Sequence, residues 1–335
     1  MSTAVPSRQR IERSVPRAGW MVVGRKEFGD HLLSARFSVL IVVLGLAAAI
    51  PLYFAAGAIR DAASSVTDSQ AVFIALFWLA PDVEGFTLPS VVGFMTYVAP
   101  LLGLAFAFDA INGERADGTL PRLLSQPIHR DDVVNGKFVA GLAVIGLVLL
   151  AVVGAIAAFG ILRLGLVPAP AELLRIVLWV LVTFVYVSLW LAFGMLLSVV
   201  VRGAATSALI GFGVWMLLTV FGGLIVSLVG GAIAPLGGTA EEQLSNNALR
   251  ETLQRLLPDT LYREASLVLL NPQVTTVSTP ATIGGYEQAA QRIPSLLSLD
   301  QSFILVWPQV VALVAITVAL FALAYVQFMR QEVRA

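Results

Sequence analysis

FVAGLAVIGLVLLAVVGAIAAFGIL, Phe138–Leu162, runs for 25 residues without an Asp, Glu, Lys, Arg or His. A hydrocarbon core about 30 Å thick is crossed by about 20 apolar residues of helix, so this stretch is long enough to span it. Lys137 before it and Arg163 after it mark its ends. Working outward, the same pattern recurs at Val39–Ala58 and Leu88–Phe108 upstream, and at Ile176–Val201, Gly203–Ala234 and Ser302–Met329 downstream. All 21 acidic side chains, all 21 basic ones and both histidines lie outside these six stretches. The sequence therefore predicts an all-α polytopic membrane protein with six transmembrane helices.

Composition points the same way. Charged residues are 13% of the chain and hydrophobic ones 58%, whereas soluble domains carry about 25% charge. The formal net charge is zero, which leaves no basic field for a nucleic acid partner; membrane lipid is the solvent. There is no cysteine, so disulfides, thiolate metal sites and cysteine catalysis fall away together. Ionisable groups at membrane depth are costly and usually functional. Spans without any offer no proton relay, and whatever work the chain does is driven from outside them.

The basic residues set an orientation. Seven stand before the first span, Arg8, Arg10, Arg13, Arg17, Arg25, Lys26 and Arg36, and four in the loop after the second, Arg115, Arg122, Arg130 and Lys137. By the positive-inside rule both termini of this multi-pass protein of the plasma membrane are cytoplasmic. The arginines reach the edge of the first span, which is too long for a signal-peptide core. A single transmembrane domain, 1–335, divides into a flexible tail (1–16), a surface helix (17–36), spans one to five (39–234), an outer segment (235–301) and span six (302–329).

Within 17–36, Trp20, Met21, Phe28, Leu32 and Ala35 share one arc of a helical wheel and Lys26, Asp30 and Ser34 the other. This is either a membrane anchor or a docking surface. His31 falls on the apolar side, and with His129 as its only fellow imidazole a metal site is not expected. The loop Asp109–Lys137 reads as a short helix along the membrane plane, with a start at Gly118–Thr119, Pro121 in the first turn, a ridge of Leu120, Leu123 and Leu124, and a stop at Pro127. A second start at Arg130–Asp132 places two carboxylates at the N-terminus of span three. Such a loop is a lever on spans two and three or a tight connector.

Asp109, Glu114, Gly118–Thr119–Leu120, Leu123–Leu124, Pro127, Arg130 and Gly136–Lys137 form a pattern that resembles the loop after the second span in ABC-2 type permeases. Arg25–Lys26–Glu27–Phe28 is similar to the run in that family's surface helix. The resemblance covers the whole chain in topology and Trp20–Phe37 with Phe108–Phe138 in motif, and is strongest to the branch for multicopper-enzyme maturation, which includes the nitrous-oxide-reductase maturation permease. It implies the type V exporter fold, with the surface helix as connecting helix. The loop becomes a coupling helix that meets a separate ABC nucleotide-binding ATPase through Glu114, Arg115, Gly118, Thr119, Leu120, Leu123, Leu124, Pro127 and Arg130. ATP and Mg would sit on that partner, since Asp131 and Phe138 spoil the one sequence here that approaches a Walker A loop.

Six spans are half the family's usual complement, which implies a second permease copy or a paralogue. Small residues four apart at Gly103–Ala107, Ala204–Ala208 and Ser207–Gly211 suit close helix contacts without saying which chain lies opposite. Thr96, Tyr97, Thr206, Ser207 and Thr219 could line a path or simply bond their own helices. In the outer segment, Glu241–Leu257 and Pro258–Leu270 read as two outer-face helices, a cap or a docking surface for an outer-face protein; Asn271–Gln301 reads as loop. Ala71–Ala80 is too short to span and is expected in the interface.

No catalytic constellation is present, and neither the scattered methionines nor the two histidines supply a copper site. Two functions remain: the permease subunit of an ATP-driven exporter, and an ATP-driven mechanotransmitter acting on an outer-face protein without passing a solute. An ion-coupled carrier with hydroxyl and carbonyl ligands is a third, which leaves the loop resemblance unexplained.

Overall fold

Backbone that cannot hydrogen-bond to lipid must satisfy itself within the segment, and each long apolar run here is helical. The computed structural model describes residues 19–65, 72–121, 128–235, 237, 239–271 and 298–331. Helix α1 (Gly19–Leu32) is followed by the first span, α2 (Ala35–Ser65). A single turn, α3 (Ala75–Trp78), and a hairpin of β1 (Asp82–Val83) with β2 (Phe86–Thr87) lead to the second span, α4 (Val91–Ala107). The charged loop contains α5 (Asn112–Ala116), and spans three and four are α6 (Arg130–Leu164) and α7 (Pro170–Val200).

The fifth crossing is broken. α8 (Ala204–Trp215) runs into a π-helical turn at Met216–Val220, where Phe221 N donates to Met216 O at 3.2 Å, and then bends by 56° into α9 (Gly222–Ile233). α10 (Ala240–Gln254), α11 (Pro258–Leu270) and the last span, α12 (Leu299–Arg330), complete the described chain. Among the described residues five helices alone are long and apolar enough to cross, and six crossings result when the bent pair counts as one. The ends agree with six: Arg175, near the start of α7, binds Ser302 Oγ near the start of α12, while Gln331, just past its end, binds Val199 O.

α7 is the central helix, burying Trp179, Tyr186, Val187, Trp190 and Met195. α4 crosses it at Gly103, where a Cβ would lie 2.5 Å from Val187 O. The Gly103–Ala107 pair therefore serves a contact inside one chain, since Ala107 also meets Gly194.

Two segments sit deeper than their sequence suggests. Phe73, Ile74, Leu76 and Phe77 are buried in the bundle and not spread in the interface, because Glu172 Oε1 accepts the N–H groups of Phe73 (2.9 Å) and Ile74 (3.3 Å) and so satisfies the backbone of an inserted turn. The two expected helices after span five are present, but only α10 stays at the surface. α11 is sunk between α7 and α12: Trp179 Nε1 donates to Ser266 Oγ at 3.1 Å, Thr183 Oγ1 lies 3.1 Å from Tyr262 OH, and Tyr262 stacks on Tyr186 at 4.4 Å. The pairing of polar groups on α7 with those on α11 removes the cost of their burial.

Candidate coupling site

The charged loop, α1 and the first turns of α6 form one cluster. α1 lies across α6 where two glycines meet: a Cβ on Gly24 would be 3.2 Å from Gly136 O, and one on Gly136 would be 2.7 Å from Val23 Cβ. Asp132 Oδ1 accepts from Trp20 N at 3.0 Å and its Oδ2 from His129 N at 3.1 Å, so one carboxylate caps the N-termini of both helices.

At the centre is Lys137, 4% exposed. Its Nζ is 2.9 Å from Glu27 Oε1 on α1 and 2.6 Å from Glu114 Oε1 on α5. A buried ammonium needs such partners, and here they come from two other elements, which fastens α1, α5 and α6 together. Alongside, Arg36 Nη2 is 2.6 Å from Asp109 Oδ2 and its guanidinium covers the Phe108 ring at 4.9 Å. His31 meets the edge of Phe106 at 5.0 Å. Burial holds its imidazole below the ordinary pKa, while Glu27 and Asp109 oppose, and Lys137 and Arg36 add to, that shift.

The loop is also tied to the spans beneath it. Ser198 Oγ on α7 accepts from Ile111 N (2.8 Å) and Asn112 N (3.1 Å), and Asn112 Nδ2 donates to Val201 O (3.3 Å). Gly118 ends α5 with φ +67°, a left-handed conformation that glycine adopts without a Cβ clash, and Thr119 N donates back to Glu114 O at 2.9 Å. The turn leaves Ala116–Thr119 exposed and returns the chain to a buried Leu120, which is helical. Gln331 closes the other side: Arg115 Nη2 donates to its Oε1 (2.6 Å), Arg130 Nη2 to its backbone O (2.9 Å), and its own Nε2 to Val199 O (2.9 Å).

Of the coupling residues expected from sequence, Glu114 joins the Lys137 clasp, Arg115 and Arg130 meet at Gln331, and Gly118 and Thr119 form the exposed turn before a buried Leu120; Leu123, Leu124 and Pro127 lie outside the described residues. On α1, Arg25 and Lys26 are exposed, Lys26 pairing with Asp30 at 3.3 Å, while Glu27 and Phe28 turn inward. The buried stripe runs through Val23 and Gly24, and Met21 is exposed, because α1 packs on α6 as well as facing lipid. The possible path residues do not converge. Thr96 bonds Val92 O of its own helix, Tyr97 and Thr206 are exposed, and Ser207 and Thr219 are buried with hydroxyls that have no partner among the described residues. Sequence reasoning missed Ser198, Gln331 and the Gly24–Gly136 contact, for which no local pattern gives a signal. No group of three or more His, Asp or Glu among the described residues is placed to hold a metal ion.

The profile described as ABC-2 family transporter protein matches residues 21–333. The chain is 32% identical over 145 residues to a probable ABC transporter permease protein NosY of Stutzerimonas stutzeri, an alignment covering 42% of this chain and 51% of that protein. It is 42% identical over 52 residues to the protein of the same description in Pseudomonas aeruginosa, covering 16% of this chain and 19% of that one. The chain thus spans about half the length of the first of these relatives and less of the second. A match that begins in α1 and ends beyond α12 takes in the Lys137 clasp and the long apolar helices, and the chain belongs to the ABC-2 transporter family.

Proposed function

We propose that this chain is the permease subunit of an ATP-driven exporter, moved by ATP hydrolysis on a separate nucleotide-binding subunit that holds the ATP and Mg. The Lys137 clasp carries the reading. A buried lysine shared by two carboxylates cannot lose one partner cheaply, so a push on the exposed Ala116–Thr119 turn moves α5, α6 and α1 as a unit. Ser198 passes the displacement to α7, and Gln331 to α12. The clasp side is then cytoplasmic, with both termini on it, and a second copy or paralogue completes the transporter. Ser207 and Thr219, whose buried hydroxyls lack partners among the described residues, are the candidate path residues that would meet a solute only after the helices move apart.

The test is purification in mild detergent with ATPase activity measured on the same sample. A nucleotide-binding subunit should co-purify, and Glu114→Ala and Gly118→Trp should keep that subunit while losing substrate-linked stimulation of hydrolysis. Unchanged stimulation in both variants would remove the coupling role. The exposed α10 supports a second reading, in which the same motion acts on an outer-face protein without solute passage. Retention of such a protein in the purified complex, dependent on α10, separates the two.

A further inference from the structure

A cleft of about 390 Å³ lies between α12 and the α10–α11 connection, lined by Arg255, Leu261, Leu305, Pro308, Gln309 and Ala312. Its polar end is built. Arg255 Nε donates to both oxygens of Glu264, at 3.2 and 3.1 Å, and Gln309 Nε2 donates to Glu264 Oε2 at 2.9 Å. Glu264 thereby holds the guanidinium by its Nε edge, and among the described residues neither Nη group donates a hydrogen bond. Two parallel N–H donors on a fixed planar cation suit a phosphate or carboxylate. The other walls are apolar.

Depth decides where the occupant comes from. Gln331 is fastened to the charged loop, and a helix rises about 1.5 Å per residue, so Gln309 stands about 33 Å along α12 from that end. This is about the thickness of the hydrocarbon core, which puts Gln309 where headgroups meet acyl chains in the far leaflet. The neighbours on the rim, Leu256, Ile304 and Trp307, are 72%, 71% and 56% exposed and offer a lipid-facing margin. Pro308 contributes an acceptor as well, since it has no N–H for the carbonyl of Ile304. We infer that the cleft holds an anionic phospholipid of the far leaflet, its phosphate on the Nη groups of Arg255 and an acyl chain along Leu261, Pro308 and Ala312. The lipid braces α11 against the last span.

The experiment uses the full chain with whatever subunits co-purify, exchanged into detergent with equal amounts of phosphatidylglycerol and of diacylglycerol, which has the acyl chains without the phosphate, and native mass spectrometry to count the lipids retained. Wild type should favour phosphatidylglycerol by roughly tenfold, the scale of one charge-assisted contact. Arg255→Gln should remove the preference, and Ala312→Trp, which fills the apolar end and leaves the guanidinium alone, should lose both lipids. If Arg255→Gln does not elute as a single folded species, Ala312→Trp carries the test. Equal retention of the two lipids by wild type, or an undiminished preference in both variants, overturns the assignment. So does a lipid that departs when the partner hydrolyses ATP, because it would be a transported amphiphile and not a resident one.

Discussion

Lys137 shows most plainly what one residue does here. Replacing it with Met leaves the Glu27 and Glu114 carboxylates facing each other in a buried site, at a cost of about 3–5 kcal/mol. The thermal midpoint of the purified chain should fall well below wild type, and adding Glu27→Gln with Glu114→Gln should recover part of the loss. Nothing in the spacing of these three residues announces the pairing, because it joins a helix before the first span to a loop after the second. His31 gives a pH test. Its folded-state pKa is lowered by burial, so its contribution is present above the ordinary histidine value and is lost as pH falls through and below about 6.5. Between pH 7.5 and 5, wild type should lose more thermal stability than His31→Phe, measured by differential scanning fluorimetry; equal losses would remove His31 from the balance. Asp259 was illegible for another reason. The six apolar stretches of the sequence are free of charge, but α11 carries this residue, 4% exposed and 3.1 Å from Arg263 Nη2, into the bundle beside them.

At the scale of the element, hydropathy located the five unbroken spans and the bent α8–α9 pair, and helical periodicity found α10 and α11, since length and period are local properties. Depth and facing are tertiary and were not local. The wheel of α1 placed Met21 on the apolar arc, whereas its contact with α6 is set by Gly24 and Gly136. Two glycines make a matched test of helix packing. Gly103→Ala puts a Cβ against the backbone of Val187 and Leu191, which cannot swing aside, and should cost about 1–3 kcal/mol. Gly154→Ala on α6 meets nothing within 4 Å and should be neutral or slightly stabilising. Comparable destabilisation of the two would mean that the α4–α7 crossing is not as close as described.

For the whole molecule, the question is whether the bent α8–α9 pair makes one crossing. A chain without cysteine is a clean background for single-cysteine labelling. Asp117→Cys should react with a membrane-impermeant maleimide from one side only, and Glu241→Cys from the other. Reaction of both from the same side would make the pair a re-entrant loop and move α10 and α11 to the clasp side. The fifth apolar stretch was legible as a segment long enough to cross. The break was not, because a π-helical turn between apolar residues leaves no mark on composition.

Only two lysines occur in the chain, and they differ sharply in access: the Lys26 side chain is 65% exposed and that of Lys137 is 4%. Amine-reactive reagents therefore find one side-chain address at rest, and it lies on α1. A second would appear only when both acidic partners let go. Reductive methylation followed through a turnover cycle would count how often that happens, without any label having to be engineered into the protein.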